Sequence, residues 1–141
     1  MKTAIYNRLT GDEALMTILT GGLYDQVVEI SRQGTPEAFD NNLEIKPCAL
    51  LKVSSLSPVG PYDHSARMMA VLYFYERAGH ENIEAAMARA YQLLHRQRLT
   101  PTGGGGCWEI RHTDDVPGQE DDALRCSLGI SRFSAYIMRE A

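Results

Sequence analysis

Three kinds of residue pattern are missing from this chain, and each absence closes off a class of function. There is no Cys-x-x-Cys pair. Cys48, Cys107 and Cys126 stand far apart and are odd in number, which predicts reduced thiols in a cytosolic setting and neither a disulfide framework nor a zinc site. There is no long hydrophobic run. The longest, residues 68–75, falls far short of the ~20 residues that cross a bilayer, and the opening Met-Lys-Thr-Ala-Ile-Tyr-Asn-Arg is too polar for a signal peptide. No membrane association is expected, and assembly should take place in the cytoplasm. There is also no excess of positive charge. Lys and Arg number 14 against 18 Asp and Glu, for a formal charge of -4, so a sequence-independent grip on the nucleic-acid backbone is not its main business.

What is present suits a folded domain. With 141 residues, 44% of them hydrophobic, the chain is long enough for one domain with a substantial core. A helix is predicted over residues 2–9 and a second over 12–20. Thr10 and Glu13 have capping-box spacing, Leu15, Ile18 and Leu19 form one apolar stripe, and Gly21-Gly22 offers a left-handed stop. Strand-like residues follow at 23–30. Residues 31–44 are polar, with Gly34, Pro36 and Asn41-Asn42, and read as a long surface loop of the kind that tends to be functional.

Residues 48–56 predict a strand that Pro47 introduces, and 57–64 a turn-rich connection. Residues 66–76 are the strongest strand signal. Both alternating faces are apolar, as in a central strand or one whose second face meets another subunit. Residues 81–98 repeat Ile83, Ala86, Met87, Ala90, Tyr91, Leu93 and Leu94 at helical spacing, with glutamates at the start and basic residues at the end. A short strand at 107–112, an acidic loop at 114–122 and a long final strand at 123–138, kinked or bulged near Gly129, complete the chain. The order predicts an α+β fold: a mostly antiparallel sheet with helices packed on one face.

Reactive chemistry is thinly represented. Gly103–Gly106 follows a helix and leads into a strand, so it lacks the strand-to-helix setting and the Lys-Ser/Thr of a phosphate loop. No two of His64, His80, His95 and His112 have the i, i+4 spacing of a helical metal site. Asp114, Asp115, Glu120, Asp121 and Asp122 do not follow the EF-hand pattern, and a solvated acidic tip or an acidic rim that keeps DNA from sticking to a channel wall fits them better. Tyr62 and Trp108, near Arg67 and Arg111, could stack on bases, but no nucleic-acid motif surrounds them. No catalytic, metal or cofactor residues are assigned.

The segment Asp12-Glu-Ala-Leu-Met-Thr-Ile-Leu-Thr-Gly-Gly-Leu-Tyr-Asp25, followed by Lys46-Pro-Cys-Ala-Leu-Leu-Lys-Val53, carries a resemblance. An amphipathic helix ending in Gly-Gly-Leu-Tyr-Asp, a variable loop, a Pro-led strand, an alanine-rich helix and terminal strands together resemble the tail terminator, or tail-completion, proteins of long-tailed bacteriophages. The resemblance covers most of the chain. It implies a non-enzymatic virion subunit of the tail-neck region, without cofactor, in a homo-oligomeric ring that is commonly a hexamer. Such a ring caps the head-proximal end of the tail tube, ends tube polymerisation and gives neck proteins a docking surface, while double-stranded DNA passes through its bore without specific binding. On this reading the tube protein and a neck or head-completion protein are the partners, and residues 31–44 and 103–122 are extended arms. Tyr24, Phe39, Tyr62, Met69, Tyr73, Tyr75 and Trp108 are then candidate subunit or tube contacts, and Asp114, Asp115, Glu120, Asp121 and Asp122 a candidate bore-facing rim. The rivals are a head-completion or connector protein of the neck and, from another class, a small ligand-binding or enzymatic domain using His64, His112 and the acidic residues.

Overall fold

A strand that is apolar on both faces must be covered on both sides, and residues 66–76 impose that condition on the whole chain. The structure is a computed structural model. It describes residues 1–54, 57–59, 62–100, 106–107 and 109–138, with the backbone alone at 57–59, 62–65, 106–107 and 138. Residues 66–76 lie within β4 (Tyr62–Glu76), at the middle of a seven-stranded sheet. β2 (Cys48–Val53) pairs with β4 antiparallel on one side and β7 (Cys126–Met138) on the other. β1 (Leu23–Tyr24) runs parallel to β2, and β3 (Ser57–Val59) forms a hairpin with the start of β4. Along its outer edge β7 carries β5 (Gly106–Cys107) and then β6 (Arg111–Asp121), both antiparallel.

Among the described residues, three helices cover one face: α1 (Lys2–Thr10), α2 (Glu13–Ile18) and α3 (Glu81–Leu94). Side chains of a strand alternate between faces. Met68, Ala70, Leu72 and Phe74 of β4 therefore meet Ile5, Leu9, Leu15, Ile83, Ala86 and Leu94 from the helices, with Phe133 of β7 fully buried among them. The predicted α+β architecture is the one observed. No helix among the described residues is long and apolar enough to cross a membrane.

Several local expectations need correction. The cap of α2 is Asp12, which accepts a hydrogen bond from Leu15 N–H at 2.9 Å; Thr10 instead donates its hydroxyl back to Tyr6 C=O. The cap has a second task, since Arg89 on α3 donates to both Asp12 oxygens at 2.8 and 2.7 Å and so ties two helices together. The strand expected at 23–30 stops at Tyr24, because the chain leaves the sheet to begin a long loop. Residues 57–59 and 62–64, expected as a turn, are in β3 and β4. The helix expected to reach residue 98 ends at Leu94, where Arg96 takes a positive φ and its N–H bonds to Ile110 C=O. The strand expected over 107–112 is divided between β5 and β6. The acidic loop expected at 114–122, part of the 103–122 arm, is the strand β6 through Asp121, where the backbone pairs with β7 and Asp114, Asp115 and Asp121 each accept a hydrogen bond. Residues 101–105 lie outside the described residues.

The irregularity expected near Gly129 is a bulge in the β6–β7 pairing: β6 carries an extra residue between Val116 and Gln119, opposite Gly129, while β7 keeps an unbroken register with β4. A second register shift lies between His112 and Asp114. Gly129 also makes room for α3: a Cβ there would lie 2.5 Å from Ile83 Cγ2 and 3.0 Å from Met87 Sδ. Gly129→Ala should cost about 1–3 kcal/mol by overpacking, read as a lowered urea midpoint with an unchanged slope.

The Asp12 carboxyl is held at about 2, below its ordinary 3.8, first by the Arg89 hydrogen bond and next by Leu15 N–H. A depressed carboxylate stabilises the fold above its unfolded pKa, and that contribution disappears as pH falls through the folded value. Acid titration of unfolding should show stability falling between pH 3.8 and about 2, with a shallower fall over that window in Asp12→Asn.

Candidate functional site

The face of the sheet away from the helices is the candidate site, because it is covered over only half its length. The even residues of β2 and β7 and the odd residues of β4 point to it, so Leu50–Tyr73–Ile130 and Lys52–Val71–Arg132 form rows across the strands. At one end of these rows the loop of residues 25–47 folds back over the sheet. It brings Ile30, Ala38, Phe39 and Ile45 against Cys48, Leu50, Tyr75 and Cys126 to make a second apolar core.

The loop holds its shape through local hydrogen bonds. Ser31 C=O accepts from Thr35 Oγ1 at 2.9 Å, and Asp40 Oδ1 accepts from Asn42 N–H and Glu44 N–H. Short polar side chains that bond nearby backbone do this in turns. Lys46 N–H donates to Ala38 C=O at 2.8 Å, and Glu44 pairs with Arg77 at the end of β4. The loop expected at 31–44 is therefore an ordered cover with a short 3-10 turn, Pro36–Ala38. Beneath it, burial pushes the Cys48 thiol up to about 12 and the Cys126 thiol up to about 11. Both are protonated at neutral pH and behave as apolar side chains.

At the other end the face is open. Lys52 and Arg67 are exposed, Met69, Val71 and Ile130 are half-buried, and Tyr136 is 50% exposed. Lys52 Nζ lies 5.6 Å over the Tyr73 ring, and Arg132 pairs with Asp114 at 2.9 Å. A pocket of about 340 Å³ borders this end, lined by Arg98, Glu109, Arg111, Ser134 and Tyr136 among others.

The structure separates the candidate contacts. Met69 and Tyr73 lie on the face itself, half-buried. Phe39 and Tyr75 are each 7% exposed, interior to the second core, so they hold the fold together and are not free to touch a partner. Tyr24 is half-buried and donates its hydroxyl to Gly21 C=O at 2.7 Å. Trp108 and the side chains of Tyr62 and His64 lie outside the described residues. Of the acidic candidates, Asp114 and Asp115 point to opposite faces of β6 and are engaged with Arg132 and with His112 and Ser131; Asp121 caps the hairpin turn by accepting from Leu124 N–H; Glu120 and Asp122 are exposed. They spread along a ribbon and do not converge on one point. Residue spacing missed Lys52, Ile130 and Tyr136 as surface residues, since alternation marks a second face without saying how much of it is covered.

One polar cluster deserves a catalytic test. Ser131 Oγ donates to Asp115 Oδ1 at 2.7 Å, and His112 Nε2 contacts the same oxygen at 2.7 Å. Activating a serine requires the imidazole between hydroxyl and carboxylate. Here the carboxylate is in the middle and Ser131 is 1% exposed, so the cluster braces β6 against β7 without activating a nucleophile. Among the described residues, no group of three or more His, Cys, Asp or Glu could hold a metal ion.

With the geometry established, comparison with known proteins is informative at the level of fold. No family model matches the sequence, and no curated protein matches it. Among solved structures, the chain is similar to a chain in the virion of a native gene transfer agent particle, with a TM-score of 0.75 and 15% identity, covering 98% of this chain and 94% of that one. It is also similar to the gp17 protein of bacteriophage SPP1, with a TM-score of 0.51 and 12% identity, covering 98% of this chain and 87% of that one. The fold is thus one found among phage and phage-like particle proteins.

His95 at the end of α3 stacks on Tyr91 at 4.6 Å between ring centroids and accepts His112 N–H on Nδ1 at 3.0 Å. Burial, then Arg96 and His112, hold its pKa below the ordinary 6.5. The neutral ring fits the fold, so the unfolded chain takes up the proton first and stability falls as pH drops below 6.5. Thermal midpoints measured below that pH should decline less in His95→Gln, which keeps an acceptor but does not titrate.

Proposed function

We propose that this chain is a structural subunit of a phage-type virion, forming a ring that caps the head-proximal end of the tail tube. The ring ends tube growth, offers the surface on which the filled head joins the tail, and lets double-stranded DNA through its bore. The subunit works by shape and carries out no turnover. The observation that carries this reading is the fold correspondence with a chain of the gene transfer agent virion over 98% of this chain. The resemblance of the Asp12–Asp25 and Lys46–Val53 segments to tail terminators gives the correspondence its particular direction. Two further features support it. The half-uncovered sheet face gives the subunit a surface for partners, and the Ser131–Asp115–His112 order offers no activated nucleophile.

A ring needs two different surfaces on each subunit, which meet head to tail. Native mass spectrometry and electron microscopy of the purified protein, alone and with the tail tube protein, test the proposal. Closed rings, six-fold by expectation, and tubes capped at one end are the predicted result. A monomer at every concentration, together with tubes that grow unimpeded in its presence, would overturn it. Rings that leave the tube end bare and bind the neck side alone would replace it with the connector reading.

A further inference from the structure

The ring reading requires two complementary surfaces, and the structure shows a pair on the same side of the sheet. The first is the open half of the face, where half-buried Met69, Val71 and Ile130 and half-exposed Tyr136 lie beside exposed Lys52 and Arg67. Its character is apolar at the centre and basic at the rim. The second is the outer side of the loop that covers the other half. That loop carries two of the most exposed large apolar side chains among the described residues, Val28 at 82% and Leu43 at 61%. Residues 25–47 also hold five carboxylates against two basic side chains. An acidic arm with apolar tips is the complement of an apolar patch with a basic rim.

We infer that the open half of the sheet face is the seat for the 25–47 loop of the next copy of this chain. The inference rests on the ring reading and gives that ring its contact. Within each subunit the loop's inner side, through Ile30, Phe39 and Ile45, covers the first half of the face. Its outer side, through Val28, Leu43 and the carboxylates near them, covers the second half of a neighbour's. The two patches differ, so the contact is heterologous and repeats in one direction, closing into a ring where the rotation allows. Lys52 and Arg67 set the charge of the seat, and Glu29 and Glu37, both exposed, set the charge of the arm.

Charge reversal with complementation tests this. In one variant the seat is reversed, Lys52→Glu with Arg67→Glu. In the other the arm is reversed, Glu29→Lys with Glu37→Lys. All four side chains are exposed, so both variants should keep the wild-type circular dichroism and melt cooperatively. Native mass spectrometry should show each variant alone as monomer under conditions where the wild type forms its ring. An equimolar mixture should recover a ring in which the two variants alternate, because each arm then meets a seat of opposite charge. Rings formed by either variant alone, or a folded mixture that stays monomeric, would overturn the inference. A wild type that forms no ring, even with tube protein, would instead count against the ring reading on which it rests. A single substitution, Leu43→Asp on the arm, is the independent check: it should abolish the ring without lowering the melting temperature, and an unaffected ring would again overturn the inference.

Discussion

The two apolar faces of β4 are the constraint from which the rest of the structure follows. Met68, Ala70, Leu72 and Phe74 point one way and Met69, Val71, Tyr73 and Tyr75 the other. Burying a large apolar side chain gains roughly 1.5–3 kcal/mol, so each row calls for a cover. The helices supply a complete one on the first side. They are fastened by the Asp12–Arg89 pair and seated closely enough that position 129 has no room for a side chain. On the second side the only described cover is a loop, and it reaches Tyr73 and Tyr75 but leaves Met69 and Val71 partly in water.

That unequal covering links the fold to the proposed assembly role. A subunit whose second face is half-finished retains apolar surface that a partner can bury, at an end of the sheet rimmed by positive charge. The same loop that stabilises one half of the face turns acidic side chains and two apolar ones outward. Stability within a subunit and contact between subunits would then draw on opposite sides of one segment. This accounts for a long excursion between two short strands, β1 and β2, that pair directly with one another.

Several polar groups of the chain are spent on the fold. Asp12 caps one helix and holds another, Asp115 braces two strands through His112 and Ser131, Asp114 pairs with Arg132, and His95 accepts the His112 amide. Buried Cys48 and Cys126 are kept protonated by their surroundings. Side chains so engaged carry geometry, in keeping with the proposed structural role.

The sequence by itself determined the element types and the layered architecture. Helical spacing from Ile83 to Leu94, and apolar character on both faces of residues 66–76, are local periodic signals that survive without knowledge of the partners they meet. It also determined that residues 31–44 form a loop, because Gly, Pro, Asn and Asp favour turns wherever they stand. Tertiary structure alone decided three other matters. It made residues 114–121 a strand, since Asp114 and Asp115 meet Arg132 and Ser131 across the ladder and His112 on the same strand. It placed Phe39 and Tyr75 inside and Lys52, Arg67 and Tyr136 outside, since alternation assigns a face but not its cover. And it gave Gly129 its purpose, which depends on the approach of α3 from more than thirty residues away in sequence: burial and close contact are properties of pairs of segments, and no single segment encodes them.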